Sequence, residues 1–474
     1  MKKKIIICIL VLITFLSVYK LDYKSLYVDE IVYINAGIEY YKKHDYSLNR
    51  EVPPVGKYIA GLFALPDERN VFFMRLPFAL MLPLATYFVY LIVDKFYDKK
   101  LSLFAALLFG VMPFATLDTR MVMLEPPIIL FWLIFHYFFL DWLFNKKPRS
   151  LVLAGIFLGV SLGTKIPSLI LIPFIFLILL ITRNLKLKNL LTISIPAIGT
   201  YFLIFLPVII KEGANGYLNH VRAMYDDYFV ERDQKGKAHI VDGIVYQKSP
   251  AWYYLHFIKE RYNPLLLAST LISPIAPLVE KSLFTIYWGV FFIFSFGFIQ
   301  ALSVKQDRYI NYIEIPIIFL ITIVFNYFIR HSKKLGYSLL LITVGLTLGA
   351  RISFAYNETP SGYNALYKSL AQRTDNFTNG ERIYMYGSIR TSRWYFVSLP
   401  EDLFVSRKDW GPLAADFKTF KYIVFDKAEL AKVPDNKFYD YVIQRDIYYN
   451  KEDFQNFYIY TFQGDLQVLK PIQQ

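Results

Sequence analysis

The chain has 474 residues, is 55% hydrophobic and 18% aromatic, carries 19% charged residues and has a net charge of +14. An ordinary soluble domain is about 25% charged, so this balance, with its apolar residues in long uninterrupted blocks, excludes a string of soluble domains. The positive charge does not point to nucleic acid, because Lys and Arg cluster in the short gaps between apolar blocks, where topology determinants sit. The single cysteine, Cys8, excludes an intrachain disulfide and a thiolate metal site.

In chain order, Lys2, Lys3 and Lys4 precede the apolar segment 5–21. The sequence after it, "DYKSLYVDE", lacks the small residues of a signal-peptide cleavage site, so a retained first transmembrane helix is expected. Further apolar blocks of membrane-spanning character lie at about 71–93, 101–117, 121–144, 151–163, 166–182, 190–210, 264–279, 282–303, 312–329 and 335–351. The expected fold is therefore a polytopic α-helical membrane protein with about eleven spans.

With the N-terminus cytoplasmic, the inner loops hold Lys95, Lys99, Lys100, Lys146, Lys147, Arg149, Arg183, Lys186, Lys188, Lys281, Arg330, Lys333 and Lys334. The short outer loops hold only Arg120, Lys165, Lys305 and Arg308, an asymmetry that fits the positive-inside rule. A multi-pass protein of the cell membrane with Asp29, Glu30 and the C-terminus outside is the expectation. Two outer loops, about 22–70 and 211–263, are long enough to be functional. In the first, Ile31, Ile34, Ile38 and Tyr41 fall at helical spacing and predict an amphipathic surface helix.

The expected domains are 1–351, membrane and catalytic, and 352–474, a small extracytoplasmic α/β domain whose strands are "RIYMYG", "KYIVFD", "DYVIQRDIYY" and "FYIYTF". It carries the sequons at Asn357 and Asn376.

Four constellations have the residue types for chemistry. Asp29 and Glu30 are neighbours on a helix, about 100° apart, so one can face a reacting group while the other does something else. An N-cap at Asp29, with Glu30 favouring the positive helix end, explains the pair equally well. In "NREVPPVGKYIAG", Pro53 and Pro54 stiffen the chain before Lys57, which suits a lipid phosphate or a snorkelling lysine. In "LDTRMVMLEPPIILFW", Glu125 enters an apolar span a turn beyond Arg120; a carboxylate there is a functional candidate, or the ion-pair partner of Arg120. In "SVKQDRYINYIEIP", Lys305 and Arg308 could hold a phosphate or belong to an ordinary charged loop, with Glu314 a few residues into the next span. The six histidines show no metal-ligand spacing, and there is no P-loop, Rossmann fingerprint or nucleophile elbow.

Taken together, Asp29-Glu30 after the first span, Pro53-Pro54-Val55-Gly56-Lys57 in the same loop, and Arg120 with Glu125 at the fourth span resemble the GT-C membrane glycosyltransferases. The likeness is to the protein O-mannosyltransferases and the lipid A aminoarabinose transferases. "LGTKIPSLILIP" at 162–173, "SPAWYYL" at 249–255 and "KQDRYI" at 305–310 also look like segments of that superfamily, and the resemblance covers most of 1–350. It implies transfer of a sugar from a polyprenyl-phosphate donor to a protein, lipid or glycan acceptor on the outer or lumenal face. It further implies Asp29 as general base, Lys57, Lys305 and Arg308 at the donor phosphate, and Glu30, Arg120 and Glu125 as acceptor-side or supporting residues. No nucleotide or redox cofactor is implied, and a divalent metal on Glu125 is left open. Val52 stands where relatives often carry His, and Glu125 where many carry Asp.

The non-enzyme alternative is a transporter or flippase of lipid-linked saccharides, which would concentrate charge near the bilayer midplane rather than at the outer boundary. An asparagine-directed oligosaccharyltransferase would carry a WWDYG-type sequence, which "WGPLAADF" at 410–417 is not. A receptor or scaffold would need fewer spans.

Overall fold

The computed structural model describes residues 2–68, 70–227, 249–302 and 305–358, the strands 239–241 and 244–246, and, beyond 358, residues 362, 366, 369–370, 382–386, 404–406, 420–430, 449–455 and 457–462. The sequon at Asn376 and the stretch 410–417 lie outside the described residues. The chain forms two units, 1–21 with 32–357, and 22–31 with 358–474.

The first unit is helical. Helix α1 (Lys2–Val18) leads to α2 (Val28–Lys42), whose residues 28–31 belong to the second unit, and α3 (Val55–Ala64) in the first long loop, then to α4 (Val71–Asp94), α5 (Lys99–Gly110), α6 (Pro113–Asp118), α7 (Glu125–Asn145), α8 (Pro148–Leu162), α9 (Leu171–Ile181) and α10 (Leu187–Tyr225). A short antiparallel pair, β1 (His239–Val241) and β2 (Ile244–Tyr246), precedes α11 (Tyr253–Arg261), α12 (Pro264–Ile272), α13 (Ala276–Val279), α14 (Leu283–Ala301), α15 (Asn311–His331) and α16 (Lys333–Asn357).

Among the described residues, six segments can cross a membrane by length and composition: 71–94, 125–145, 187–225, 283–301, 307–331 and 333–357. The other expected spans are helical but shorter or interrupted. The block 101–117 breaks into α5 and α6 because Pro113 opens a new helix, and 264–279 is divided by a 3-10 turn at Ser273–Ile275. Helix starts follow local chemistry: Asn70, Asp98, Asn263 and Ser282 cap α4, α5, α12 and α14 with side-chain oxygens.

Helices α7 and α15 form the centre; 78% and 89% of their apolar windows are buried, against 22% for α10, which therefore presents most of its surface to lipid. Helix α8 packs between α7 and α10. Its Gly155 and Gly159 allow that approach, because a Cβ there would meet the Ile193 and Ala197 carbonyl oxygens at 2.3 and 2.4 Å. This is the small-residue contact by which membrane helices close on each other. The second long loop begins inside α10, which runs on to Tyr225 through a break at Gly213, where φ is 72°.

In the second unit the described residues include a five-stranded sheet in the order β4-β3-β5-β7-β6, formed by β3 (Arg382–Tyr386), β4 (Phe404–Ser406), β5 (Phe420–Asp426), β6 (Tyr449–Phe454) and β7 (Phe457–Phe462). Strand β3 is parallel to β4 and β5, while β7 is antiparallel to β5 and β6. Consecutive buried residues, Ile383 to Tyr386 and Ile423 to Phe425, mark inner strands covered on both faces. "RIYMYG", "KYIVFD" and "FYIYTF" correspond to β3, β5 and β7, while "DYVIQRDIYY" lies outside the described residues up to Tyr449.

Candidate functional site

In the second unit, Asp29 and Glu30 occupy the first turn of α2. Glu30 is fully buried and its Oε2 accepts the Tyr27 amide at 2.7 Å, so it satisfies one of the helix's unpaired N-terminal amides from the third helical position, as the acidic half of a capping box does. Asp29 is half-buried at the position before it.

In the first unit, three loops meet at one end of the bundle. Glu125 opens α7 and is 1% exposed. Its Oε1 receives the Lys165 ammonium at 2.5 Å and lies 3.6 Å from the Arg308 Nε. Lys165 stands in the turn between α8 and α9 and is itself 3% exposed. Arg308 lies in the 3-10 turn Asp307–Ile310 before α15, where its Nε also donates to Gln306 Oε1 at 2.8 Å. Asp118 accepts from Asn311 Nδ2, which also donates to the Arg308 carbonyl at 2.8 Å. Next to this, Arg261 pairs with Asp307 at 2.6 Å, and Glu314 accepts from Tyr262 at 2.6 Å and from the Ala115 amide at 2.9 Å. Buried charges of this kind persist only where they are paired and hydrogen-bonded.

The "PPVGK" stretch reaches the same place. The Val55 amide donates to the Gly163 carbonyl at 3.0 Å, two residues from Lys165, and a Cβ on Gly56 would meet Leu124 Cδ2 at 2.1 Å, one residue from Glu125. Only glycine fits the crossing of α2 over α3, where a Cβ on Gly37 would sit 2.3 Å from the Lys57 carbonyl oxygen. Lys57 is fully buried and donates to the carbonyls of Asn49 and Val52, each at 2.7 Å, with its ammonium 5.1 Å from the Tyr40 ring centre. Two of its three N–H groups thus hold the proline turn.

Burial pushes the Lys57 ammonium from 10.5 down to about 7, with the Glu51 carboxylate opposing the shift. Across the window from about pH 7 to 10 the unfolded chain then binds more protons than the folded one, so stability rises with pH. The thermal midpoint of the purified protein in detergent is expected to increase from pH 7 to 9.5 relative to that of a Lys57→Met variant. Parallel curves for the two proteins would overturn this.

The remaining candidates lie elsewhere. Arg120 does not serve as the partner that the sequence suggested for Glu125; its guanidinium caps the C-terminal end of α1, donating to the carbonyls of Leu16, Ser17, Tyr19 and Lys20 at 2.8 to 3.1 Å. Arg351 reaches Leu16 O at 3.0 Å and Arg75 reaches Leu21 O at 2.9 Å, so three arginines fasten the same helix end. Lys305 donates to Pro250 O at 3.1 Å and Gln300 Oε1 at 2.6 Å and ties down the 249–250 turn. Among the described residues, no three His, Cys, Asp or Glu side chains group as metal ligands, and Glu125 faces two cations.

Lys165 is the chief residue that sequence reasoning left out. The sequence places it among the few outer-loop charges and within the superfamily-like segment "LGTKIPSLILIP", where a lysine inside an apolar run is itself the signal. Asp118 and Asn311 had no such signal.

An apolar groove of 590 Å3 is lined by the residue that follows Lys165 in the chain. Ile166, next to Lys165, lines it with Pro53, and it continues along α9 and α10 past Leu169, Phe176, Ala197 and Phe202.

Residues 51–210 match the family model described as dolichyl-phosphate-mannose-protein mannosyltransferase. Among curated proteins, no sequence matches the chain. Among solved structures, ArnT from Cupriavidus metallidurans bound to undecaprenyl phosphate superposes with a TM-score of 0.62 at 12% identity, covering 97% of this chain and 98% of that one. Its apo state gives 0.61 at 13%, with the same coverage. The Archaeoglobus fulgidus oligosaccharyltransferase in complex with zinc and sulfate gives 0.55 at 13%, covering 96% of this chain and 73% of that one. At these identities the likeness is one of fold. The chain has the fold of the GT-C membrane glycosyltransferases and carries, at residues 51–210, the sequence pattern of one of their families.

Proposed function

We propose that the protein is a glycosyltransferase that moves a sugar from a polyprenyl-phosphate donor to a hydroxyl acceptor, a protein, lipid or glycan, on the outer face of the cell membrane. The observation that carries this reading is the buried Glu125–Lys165–Arg308 cluster, whose Lys165 lies one residue along the chain from Ile166, which lines a lipid-sized apolar groove. Anionic headgroup and hydrocarbon tail have adjacent partners there, and one structure of this fold holds undecaprenyl phosphate.

In the proposed reaction Asp29 takes the proton of the acceptor hydroxyl, whose oxygen attacks the anomeric carbon while the bond to the phosphate oxygen breaks. The leaving group is already a phosphate anion, so no acid is required; cations need only stabilise the charge that builds on it. Arg308 and Lys165 supply that charge, Glu125 holding both side chains in place. Lys57 contributes its third N–H while protonated, and Lys305 and Arg120 fix the surrounding backbone. Glu30 fixes the helix turn that carries Asp29.

The test is to incubate the purified protein in proteoliposomes with polyprenyl-phosphate sugars, beginning with the mannosyl donor, and to follow release of polyprenyl phosphate. Acceptor-dependent release supports the reading. Movement of intact lipid-linked sugar between leaflets, with no donor consumed, would establish the flippase instead.

A further inference from the structure

At the end of α7 opposite Glu125, some 30 Å along the helix axis, two turns come together. Lys146 closes α7 in a left-handed conformation, φ 53°, and its ammonium donates to Asn184 Oδ1 at 3.2 Å across to the turn between α9 and α10. Arg183 closes that side with φ 54°, and Lys186 and Lys188 follow at the start of α10. All four cations are exposed. The nearby acid, Asp141, is occupied by Lys95 at 2.8 Å and Lys147 at 3.7 Å. Among the described residues, Lys146, Lys186 and Lys188 have no carboxylate partner, and burial together with the Lys186 charge holds the Lys146 ammonium below its ordinary value.

Directly beside these lysines the surface turns apolar. Helices α8 and α10 touch at Gly155 and Ile193; alongside that contact, Val152 of α8 and Leu191, Ile195 and Pro196 of α10 line a groove of 590 Å3, with Lys188 of α10 among its lining residues. Uncompensated cations above a lipid-facing groove are complementary to one kind of molecule in a membrane.

We propose that this groove is a site for one anionic phospholipid, its phosphodiester held by Lys146, Lys186 and Lys188 and an acyl chain laid between α8 and α10. Each lysine near an anionic headgroup contributes on the order of 1 kcal/mol, so three discriminate clearly against a zwitterionic lipid. The site lies at the other end of the bundle from the Glu125 cluster, and its occupancy does not depend on turnover.

Native mass spectrometry of the intact protein, equilibrated in detergent with equal phosphatidylglycerol and phosphatidylcholine, tests it. The wild-type protein is expected to retain one phosphatidylglycerol with about tenfold or greater preference. Lys146→Gln, Lys186→Gln and Lys188→Gln together abolish the preference, whereas Lys99→Gln, Lys100→Gln and Lys281→Gln together keep it. Val152→Trp, which fills the groove without changing charge, lowers retention of both lipids. Equal retention of the two lipids by the wild-type protein would overturn the proposal. So would equal losses from the two lysine sets, or full retention in Val152→Trp, since each describes diffuse lipid attraction rather than a site.

Discussion

An Asp29→Asn variant is expected to lose about 10²- to 10⁴-fold in turnover of the polyprenyl-phosphate sugar, the range a positioned general base contributes, while its thermal midpoint stays within a degree or two of wild type. The amide keeps the shape of the side chain and removes the basic lone pair. At this helix start the Glu30 carboxylate carries the Tyr27 amide. The two neighbouring acids therefore separate in their readouts. Glu30→Ala is expected to lower stability by the roughly 0.5 to 2 kcal/mol typical of a lost cap, with a smaller loss of turnover. Measuring initial rates and thermal unfolding on both variants checks the pair. Full activity in Asp29→Asn would remove Asp29 from the reaction.

Much of this arrangement could be read from residue order, and the part that could not has a common cause. Apolar runs near 20 residues have to be helices in a membrane, because no other local structure satisfies their backbone groups, and each expected block is helical in the structure. The break at Pro113 departs from the single span expected over 101–117, because the proline opens a new helix there. Strands β3, β5 and β7 are rich in β-branched and aromatic residues. By contrast β6, "YNKEDF", is charged because it is an edge strand, and a polar pattern does not announce a strand. The Glu125 pairing was illegible for another reason. Arg120 is five residues away in sequence, but Lys165 and Arg308 are 40 and 183 residues away, and only the packing of three loops makes them the partners. Arg120 instead satisfies the carbonyls at the end of α1, a need that arises only once α1 and the 119–124 turn are side by side. Local chemistry announces elements and caps; the partner of a buried charge is a property of the fold.

That partner set carries the second large effect. Lys165→Met and Arg308→Met are each expected to lower kcat/KM for the donor by about 10- to 150-fold, the equivalent of one charge-assisted hydrogen bond of about 1.5 to 3 kcal/mol. The double variant should lose less than the product of the two, because both cations act on the same anion and are held by the same carboxylate. Glu125→Gln acts in a different way: it leaves Lys165 and Arg308 buried together without their counter-charge, so it should destabilise the protein by about 3 to 5 kcal/mol. Bound polyprenyl phosphate supplies an anion in the same place, and its addition should recover much of that loss of stability in Glu125→Gln while shifting the wild-type midpoint less. Thermal unfolding with and without polyprenyl phosphate, alongside donor kinetics, reads both effects. If polyprenyl phosphate stabilised wild type, Glu125→Gln and Lys165→Met alike, the phosphate would have to be held somewhere other than this cluster.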